Sequence, residues 1–481
     1  MEDVIIIGAG VVGASIAREL SRQDRRILVL EKNWDVAEGA SKANSGIVHG
    51  GHDALPGSLK AKYNILGSRK MEALSRKLDF PYSRNGSLVL LPFGGDREKL
   101  KELLARGIRN GVEGLEIIER EQLRMLEPNV SESMEAALFV PSGAITDPFL
   151  LTIALAENAA ANGVEFRFGE EVRAIQRSGE GYCVETENSR FDAKLVVNAA
   201  GVYADRIHAM VSREPMEIIP VRGQYCLFDK EAGDLVKHTL FRLPTEKGKG
   251  ILITPTVHGN LMAGPTAETL SDKEAVNTTA EGLSEVLGKG AESIREMPQK
   301  KVITSFAGLR AHERNGDFII GQPADAPGFI DAAGIESPGL TAAPAIGEAV
   351  SEMVMQICPV PLRQGFIHTR KSIPCMALSS DAERKALIDA DPAYANVICR
   401  CELVTEGEIR EALRRVPRAG TLDGIKRRVR AGMGRCQGGF CSPRVLNLIA
   451  QELGLDPQEI TKCGGGSWIL MGRNKEEGHG R

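Results

Sequence analysis

Short apolar runs alternate with a longer amphipathic stretch at the start of the chain. Residues 4–30 read VIIIG, then AGVVGASIARELSRQ, then the apolar part of RILVLEK. Apolar runs of this length are typical of buried strands, and the stretch between them has helical spacing. The order of strand, glycine-rich turn, helix and strand predicts the opening unit of a doubly wound parallel sheet in an α/β fold.

Similar elements return later in the chain. A helical stretch at 148–162 precedes the strand EFRFG, and KLVVNAAG at 194–201 has the composition of a buried parallel strand. A final strand and helix end near residue 357. We therefore predict one discontinuous Rossmann-type domain over residues 1–80, 141–215 and 301–357.

A different pattern fills the two gaps in that domain. The segments SLVLLPF, IIPVRGQYCLF, GILITPT and GNLMAG are short runs of alternating character, separated by isolated helices. Such alternation is typical of an antiparallel sheet that turns one face towards a core. Residues 81–140 and 216–300 are predicted to form an inserted antiparallel-sheet domain that carries the substrate.

The chain changes again after residue 357. The stretch CPVPLRQGFIHTRKSIPCM has three prolines and little helical periodicity, which is typical of a connecting segment. We predict a linker over residues 358–389, a small helical module over 390–451 and a C-terminal tail over 452–481.

Composition and charge restrict the class of protein. Of the 481 residues, 42% are hydrophobic and 26% are charged, and the formal net charge of −4 gives no reason to expect nucleic acid as a partner. Residues 396–450 differ, with 11 Lys or Arg against 5 Asp or Glu. No window has the roughly 18 apolar residues of a membrane helix, and the start MED is acidic. We expect a cytoplasmic protein without a transmembrane segment, with peripheral attachment to the inner face of the membrane left open.

The first turn has the spacing of a dinucleotide-binding motif. Gly8, Gly10 and Gly13 form a GxGxxG that follows a strand and opens a helix. Glycine at these positions allows a tight turn, close approach of a pyrophosphate and close packing of the helix. Glu31 and Lys32 end the second strand, where a carboxylate can accept hydrogen bonds from ribose hydroxyls. Both NAD and FAD fit this pattern.

Residues 39–51, GASKANSGIVHGG, resemble a segment of the FAD-dependent amine and hydroxyacid oxidoreductases of the D-amino-acid oxidase superfamily. VVNAAGVYAD at 196–205 and GIESPGLT at 334–341 resemble two further flavin segments of that family. The resemblance covers residues 1–357 and implies FAD as the cofactor. The cofactor-binding residues that it implies are Ser41, Lys42, Asn44, Ser45, Gly46, Ala199, Ala200, Gly201, Gly334, Pro338, Gly339, Leu340 and Thr341.

Within that superfamily, NSGIVHGGHDALPGSLKAKYN and PVRGQYCLFD resemble glycerol-3-phosphate dehydrogenases and L-2-hydroxyglutarate oxidases. Both groups oxidise a secondary alcohol beside an anion, which requires hydride transfer to flavin N5, a base for the hydroxyl proton and a cation for the anionic group. In the glycerol-3-phosphate enzymes an arginine-bearing segment commonly follows HGG. Here His52 and Asp53 and then Lys60 and Lys62 follow instead, and PGSLKA resembles the 2-hydroxyglutarate group. Both substrates remain open.

Three residues are the candidates for catalysis. His49 lies next to Gly50 and Gly51, shortly after residues 41–46 that are predicted to contact flavin, and is the first candidate for the base, the alternative being a core histidine. The resemblance places an arginine from a GLR turn over the flavin, which would be Arg310; the alternative is a surface salt bridge. His258 is a further candidate for the base. Weaker candidates for the same pocket are His312, Arg222 and Tyr225.

Four cysteines occur as two close pairs near the C-terminus. Cys399 and Cys401 are followed, after 34 residues, by Cys436 and Cys441. Four thiolates suit a soft metal centre, and these spacings differ from the usual zinc pairs. The pattern resembles the [2Fe-2S] domain of bacterioferritin-associated ferredoxin, which implies a [2Fe-2S] cluster, with zinc as the alternative. The cations expected to stabilise the anionic cluster are Arg400, Arg435, Lys426, Arg427 and Arg428.

A flavin and a one-electron cluster on one chain favour a dehydrogenase. The resemblance is to FAD-dependent glycerol-3-phosphate dehydrogenases of the iron-sulfur-bearing type, which implies oxidation of sn-glycerol 3-phosphate, a small anionic alcohol, to dihydroxyacetone phosphate. It also implies a second flavoprotein subunit or a quinone-linked acceptor as partner. The alternatives are an enzyme for L-2-hydroxyglutarate or another 2-hydroxy or 2-amino acid, and a non-catalytic electron-transfer subunit.

Overall fold

The computed structural model describes residues 1–243 and 250–472. Over these residues, no helix has both the length and the apolar composition that crossing a membrane requires. The strands are β1 (Glu2–Ile7), β2 (Ile27–Glu31), β3 (Ile47–Val48), β4 (Tyr82–Ser83), β5 (Ser87–Pro92), β6 (Glu116–Glu119), β7 (Met134–Val140), β8 (Ala144–Thr146), β9 (Glu165–Phe168), β10 (Val172–Ser178), β11 (Gly181–Thr186), β12 (Arg190–Asn198), β13 (Ile218–Phe228), β14 (Thr239–Arg242), β15 (Leu252–Pro255), β16 (Leu261–Gly264), β17 (Glu268–Thr269), β18 (Val302–Glu313), β19 (Ile319–Gly321), β20 (Phe329–Ala333), β21 (Val397–Cys399) and β22 (Val404–Thr405). The α-helices are α1 (Val11–Leu20), α2 (Leu59–Leu78), α3 (Arg97–Arg109), α4 (Arg120–Leu126), α5 (Pro148–Ala161), α6 (Ala204–His208), α7 (Ala280–Ala291), α8 (Gly339–Ile357), α9 (Asp381–Ala390), α10 (Glu406–Arg414), α11 (Leu422–Val429) and α12 (Ser442–Leu453).

The described chain folds into two units. The first unit contains residues 1–31 and 37–371, and the second unit contains residues 32–36 together with the chain from residue 372 onward. The glycine-rich turn therefore belongs to the first unit, and the four paired cysteines belong to the second. The chain enters the second unit for five residues directly after β2 and then returns.

An eight-stranded sheet in the first unit confirms the predicted doubly wound α/β fold. β1 lies between β2 and β12 and runs parallel to both, with β9 beyond β2 and β20 beyond β12. Parallel strands end at the same edge of a sheet, so the residues that follow β1, β12 and β20 lie along one edge. These residues are Gly8, Ala199 and Gly334, which the sequence predicted to contact the cofactor.

Helices pack closely next to this sheet because glycine stands at their crossings. α1 packs against α5 and α8, and α8 also packs against α2. A Cβ on Gly67 of α2 would lie 1.9 Å from the carbonyl oxygen of Thr341 in α8, so only glycine allows this approach. The buried core beside the sheet includes Ile5, Leu28, Leu30, Val196 and Phe329.

The second sheet of the first unit is mainly antiparallel, as predicted. Its order is β17-β13-β16-β15-β14-β5-β7-β6, and β18 pairs along β13. β5 and β14 run parallel, which the sequence did not predict, because they come from separate segments and meet without a connecting hairpin. β18 falls within residues 301–357, the range predicted for the cofactor domain, yet it pairs in this sheet. The core includes Leu88, Phe228, Leu240, Ile253 and Val286.

The second unit is small and mainly helical. α10, α11 and α12 enclose one apolar core, and β21 pairs with β22 beside them. The predicted linker over residues 358–389 contains most of α9, which begins with a capping box between Ser380 and Glu383. Residues 473–481 of the predicted tail lie outside the described residues.

Candidate active site and metal centre

Backbone packing closes the glycine-rich turn after β1. Gly8 has a φ of +105°, and a Cβ on it would lie 2.5 Å from the carbonyl oxygen of Ala199. A Cβ on Gly13 would lie 1.9 Å from the carbonyl oxygen of Gly8. Any side chain at either position would therefore collide with backbone atoms, as the dinucleotide-binding motif requires.

Two side chains fix the turn and the start of α1. The backbone N–H of Ala9 donates to Oε2 of Glu31 at 2.8 Å, and that of Val11 donates to Oγ of Ser41 at 2.9 Å. Residues 11–14, which form the first turn of α1, are uncharged, so a phosphate would meet no competing carboxylate on this turn. This cradle fits the diphosphate of a dinucleotide. Lys32, which was also predicted to bind the cofactor, is grouped with the second unit.

The segment 39–46, the first flavin segment, is held by its own side chains. Lys42 Nζ pairs at 2.5 Å with a carboxylate four residues earlier, and Asn44 Oδ1 accepts from the N–H of Gly46 at 2.8 Å. Gly46 has a φ of +66°, and a Cβ on it would lie 2.4 Å from the last carbonyl oxygen of β8. Ser45 is half-buried between them. The segment thus has a fixed backbone, as close approach to a planar ring requires.

A buried polar network holds the ends of β12 and β20. Asp331 accepts from Asn198 Nδ2 at 2.8 Å and pairs with His208 Nδ1 at 2.7 Å. Burial raises the pKa of Asp331, and the hydrogen bonds from His208 and Asn198 oppose that effect. Asn198 Oδ1 also accepts from the N–H of Ala200 at 3.3 Å. The network positions residues 199–201, and sequence analysis missed its two distant members.

His49 lies next to residues 334–341, the last flavin segment. Its backbone N–H donates to Thr341 Oγ1 at 2.9 Å, and its Nε2 lies 3.2 Å from Ser337 Oγ. Its ring centroid lies 5.8 Å from that of Phe241. The structure therefore places the first candidate for the base beside a segment almost 300 residues away that was independently predicted to contact flavin.

One face of β18 is directed at both flavin segments. A Cβ on Gly308 would lie 2.1 Å from the carbonyl oxygen of Ala43, so the strand crosses the first flavin segment closely. Four residues later on the same strand, His312 Nδ1 lies 2.9 Å from Glu336 Oε1 in the last flavin segment. Alternate residues of a strand share a face, so Arg310 lies on this face between Gly308 and His312.

Arg310 is a half-buried cation that has no carboxylate partner among the described residues. Its Nη2 donates to the carbonyl oxygen of Thr266 at 3.1 Å, and its guanidinium is hydrogen-bonded to the buried Tyr225. A Cβ on Gly223 would lie 2.9 Å from Nη2, so glycine leaves room for the guanidinium. Within residues 1–243 and 250–472, no carboxylate pairs with Arg310, so the alternative of a surface salt bridge finds no partner there. Burial raises the pKa of Tyr225, although Arg310 opposes the shift.

Glu336 links Lys60 and His312 and was not singled out by sequence. Its Oε1 accepts from Lys60 Nζ at 2.6 Å and from His312 at 2.9 Å. Burial opposes ionisation, but Lys60 and His312 hold the pKa of Glu336 below its usual value. The charge of Lys60 is thus offset inside the protein, which makes it a poorer anion site than Arg310. The acidic residue in GIESPG was the only signal that sequence offered.

The other candidates are anchored by carboxylates. His258 Nε2 lies 2.7 Å from Oδ2 of the buried Asp147, whose Oδ1 accepts from two N–H groups at the start of α5. Arg222 is buried and pairs with Glu268 at 2.7 Å. His258 is therefore oriented by a carboxylate, whereas Arg222 has a structural partner on β17.

The four predicted metal ligands come together as two pairs in the second unit. The Sγ atoms of Cys401 and Cys436 are 3.5 Å apart, and a hydrogen bond from Cys441 lowers the pKa of Cys399 to about 6. Among the described residues, no three side chains are grouped as ligands of a single metal ion. Two thiol pairs fit a two-iron cluster, in which each iron takes two thiolates.

Two of the five cations that were expected to stabilise the cluster, Arg427 and Arg428, pair with a carboxylate of the second unit. Nη1 and Nη2 of Arg428 donate to the two oxygens of Asp35 at 2.6 and 2.8 Å, and Arg427 Nη2 reaches Asp35 at 3.0 Å. All three side chains are buried. Arg430 pairs with Glu402 at 2.8 Å. Much of the positive charge is therefore neutralised within the unit.

Two family models match the chain. The first, described as FAD dependent oxidoreductase, matches residues 3–353. The second, described as BFD-like [2Fe-2S] binding domain, matches residues 397–451, which include all four paired cysteines.

Individual relatives agree with both matches. Glycerol 3-phosphate dehydrogenase of Caloramator mitchellensis is 48% identical over 99% of this chain and 100% of that protein. One subunit of the anaerobic glycerol-3-phosphate dehydrogenase of Escherichia coli (strain K12) is 26% identical over 93% of this chain and 88% of that protein. The solved structure of L-alpha-glycerophosphate oxidase from Mycoplasma pneumoniae with FAD bound has a TM-score of 0.74 and 32% identity, and covers 77% of this chain and 98% of that chain.

These matches follow the division that the structure shows. The longer match coincides with the sheet and glycine cradle of the first unit, and the shorter one with the thiol pairs of the second. FAD and a [2Fe-2S] cluster, both predicted from the sequence, are confirmed as the cofactors. The chain belongs to the FAD dependent oxidoreductase family and is a flavoprotein that carries a [2Fe-2S] binding domain.

Proposed function

We propose that this oxidoreductase converts sn-glycerol 3-phosphate to dihydroxyacetone phosphate and that the electrons leave through the [2Fe-2S] cluster. The identity of 48% to a glycerol 3-phosphate dehydrogenase supports this, because it extends over 99% of the chain. When FAD is bound, flavin N5 supplies the acceptor for the hydride of the carbinol carbon. The residues of the chain then have two tasks: they bind the phosphate and they take the hydroxyl proton.

The observation that carries the proposal is the position of Arg310. It shares a strand face with Gly308 and His312, which contact the first and last flavin segments. Its guanidinium has no carboxylate partner among the described residues, so its charge is available for a ligand. A planar guanidinium can donate two parallel hydrogen bonds to a phosphate, and the Tyr225 hydroxyl beside it offers a further donor.

His49 is assigned as the group that accepts the hydroxyl proton. Its imidazole lies at the last flavin segment, where Ser337 Oγ at 3.2 Å orients it. A neutral imidazole is a suitable base near pH 7. His258 is the competing candidate, because a base oriented by a buried carboxylate is a frequent catalytic arrangement and Asp147 holds it at 2.7 Å.

A [2Fe-2S] cluster held by Cys399, Cys401, Cys436 and Cys441 would accept electrons one at a time and so offer them a route out of the chain. Cys401 is exposed, so an acceptor can approach that side of the cluster. The E. coli relative is one subunit of its enzyme, which supports an assembly of this chain with another protein. We assign a second flavoprotein subunit or a quinone-linked acceptor as the partner that takes the electrons.

The first test is anaerobic reduction of the flavin in the iron-loaded protein. We expect sn-glycerol 3-phosphate to bleach the flavin rapidly, and L-2-hydroxyglutarate and a panel of 2-hydroxy and 2-amino acids to bleach it slowly. Rapid bleaching by a dicarboxylate alone would move the substrate to the 2-hydroxyglutarate class. If no compound bleached the flavin, the chain would serve in electron transfer without turning over a substrate of its own.

The second test separates the two histidines. His49→Asn is expected to lower the rate of flavin reduction by about 10²–10⁴-fold and to remove its dependence on a base, so that the rate no longer rises with pH. His258→Asn should leave the shape of the pH profile unchanged. If His258→Asn removed the rising limb instead, the base would be His258.

A further inference from the structure

A short piece of chain leaves the first unit directly after the residue that holds the glycine turn. Residues 32–36 follow Glu31 in sequence but fold with the second unit. Trp34 packs there against Gly464, where a Cβ would lie 1.9 Å from the indole Cδ1 atom. Asp35 is 0% exposed. These five residues are therefore an integral part of the unit that carries the cysteines, with Asp35 in its interior and Trp34 at its surface.

Asp35 is the shared counter-ion of two buried arginines. Arg428 donates to both carboxylate oxygens, at 2.6 and 2.8 Å, and Arg427 Nη2 donates to Oδ2 at 3.0 Å. Arg428 also donates to the carbonyl oxygens of Gly424 at 3.1 Å and Pro417 at 3.0 Å. Burial opposes ionisation of Asp35, but the two arginines hold its pKa below the usual value. Removing the carboxylate would leave two buried cations uncompensated.

The helix that carries these arginines leads straight to the cysteines. Both arginines lie in α11, and Arg430 directly after it donates through Nε to Glu402 at 2.8 Å. Glu402 follows the ligand Cys401 in sequence. The backbone N–H of Gly432 is hydrogen-bonded to Cys399. The position of α11 thus determines where residues 430–434 contact Cys399 and Cys401.

Close packing makes this link stiff. A Cβ on Gly434 would lie 2.3 Å from Cβ of Cys401, so the chain after α11 lies directly against that ligand. Side chains packed this closely shift together rather than independently. A displacement of α11 would therefore reach the cysteines.

We propose that Asp35 is a positioning residue for the [2Fe-2S] cluster. It fixes α11, and through residues 430–434 it fixes the backbone and side chains of Cys399 and Cys401. The scaffold of the cluster is thus completed by residues that the N-terminal part of the chain supplies from the end of β2. This inference goes beyond the proposed function, because it holds for any substrate.

The test compares the full-length variant Asp35→Asn with the wild-type protein. We expect the variant to lose iron to EDTA at least about threefold faster and to show altered electron paramagnetic resonance g-values of the reduced cluster, because the amide removes the counter-charge of two buried guanidiniums. FAD per chain should be unchanged, since the glycine turn does not involve Asp35.

Asp423→Asn is the matched control. Asp423 is a carboxylate in the first turn of α11 itself, but it pairs with the exposed Lys462, so its loss should change neither readout. The double variant Asp35→Asn/Arg428→Met removes the carboxylate together with one of its two arginines. Fewer buried charges are then left without a partner, so iron loss should be slower than the sum of the two single effects. Wild-type iron retention and g-values in Asp35→Asn would overturn the proposal. So would an equal loss of FAD and iron, which would indicate general unfolding.

Discussion

The two cofactor sites of this chain are built by different means. In the first unit, Gly8 and Gly13 let backbone atoms approach so closely that a single Cβ would collide with a carbonyl oxygen. In the second unit, buried charged side chains hold the structure around the cysteines, with Asp35 between Arg427 and Arg428. A backbone cradle tolerates no added atom, whereas a buried charge cluster tolerates no missing partner.

This difference also explains why one site can be predicted from the sequence and the other cannot. The cradle depends on glycines at a fixed local spacing, so the sequence motif predicts it directly. The charge cluster joins residues 393 positions apart, and no local pattern predicts that pairing. The following changes are therefore expected to affect the two sites unequally.

The largest effect is expected from enlarging a glycine of the cradle. Gly13→Val should abolish FAD binding, because its Cβ would lie 1.9 Å from the carbonyl oxygen of Gly8 and cannot be accommodated without moving the turn. The measurement is flavin per chain after purification. Gly288→Ala is the control, since Gly288 lies in α7, outside the predicted flavin segments, and a Cβ there has no neighbour within 4 Å. A Gly13→Val protein with full FAD content would contradict the account of the cradle.

Removing one predicted cluster ligand should affect only the second site. Cys436→Ser is expected to abolish the iron absorbance, because one of four thiolates is lost, while anaerobic flavin reduction stays within about twofold of wild type. Cys375→Ser, which changes an exposed cysteine of the same unit, should preserve both signals. Loss of flavin reduction along with the cluster would show that the two sites are not independent.

A smaller effect is expected at Arg310, the cation proposed to bind the substrate phosphate. Arg310→Ala should reduce kcat/KM by at least about tenfold with FAD still bound, because a charged hydrogen bond contributes ~1.5–3 kcal/mol. Arg314→Ala removes an exposed arginine near the end of the same strand, which pairs with Glu217, and should leave kinetics unchanged. Steady-state kinetics with sn-glycerol 3-phosphate measure both. Wild-type kinetics in Arg310→Ala would exclude it from the site.

The smallest effect concerns Glu336 and depends on pH. Since its pKa in the folded protein lies below the usual 4.5, its pairing with Lys60 stabilises the fold above about pH 4.5, and this contribution is lost as the pH falls through the lowered value. Glu336→Gln should therefore unfold about 1 kcal/mol more easily than wild type at pH 7, with the gap closing below pH 4. Denaturant melts at both pH values measure it. A gap that stayed constant with pH would contradict the ion pair.

Local patterns made much of the fold predictable. The apolar runs around Gly8 and near residue 198 marked parallel strands because their composition is decided by burial on both faces. The pairing of β5 with β14 and of β18 with β13 was not predictable, because partners far apart in sequence leave no periodic signal. The same holds for the two cofactor sites. The spacing of the cysteines predicted a metal centre, but nothing in the sequence predicted the partners of Arg428 and Lys60.

The central claim is that electrons from the substrate pass through the flavin to the cluster within this chain. The direct measurement mixes the iron-loaded protein anaerobically with sn-glycerol 3-phosphate and follows flavin absorbance together with the electron paramagnetic resonance signal of the reduced cluster. The account predicts that the flavin bleaches and that the signal of the reduced [2Fe-2S] cluster then appears, in wild type but not in Cys436→Ser. A bleached flavin beside a cluster that stays oxidised would contradict it.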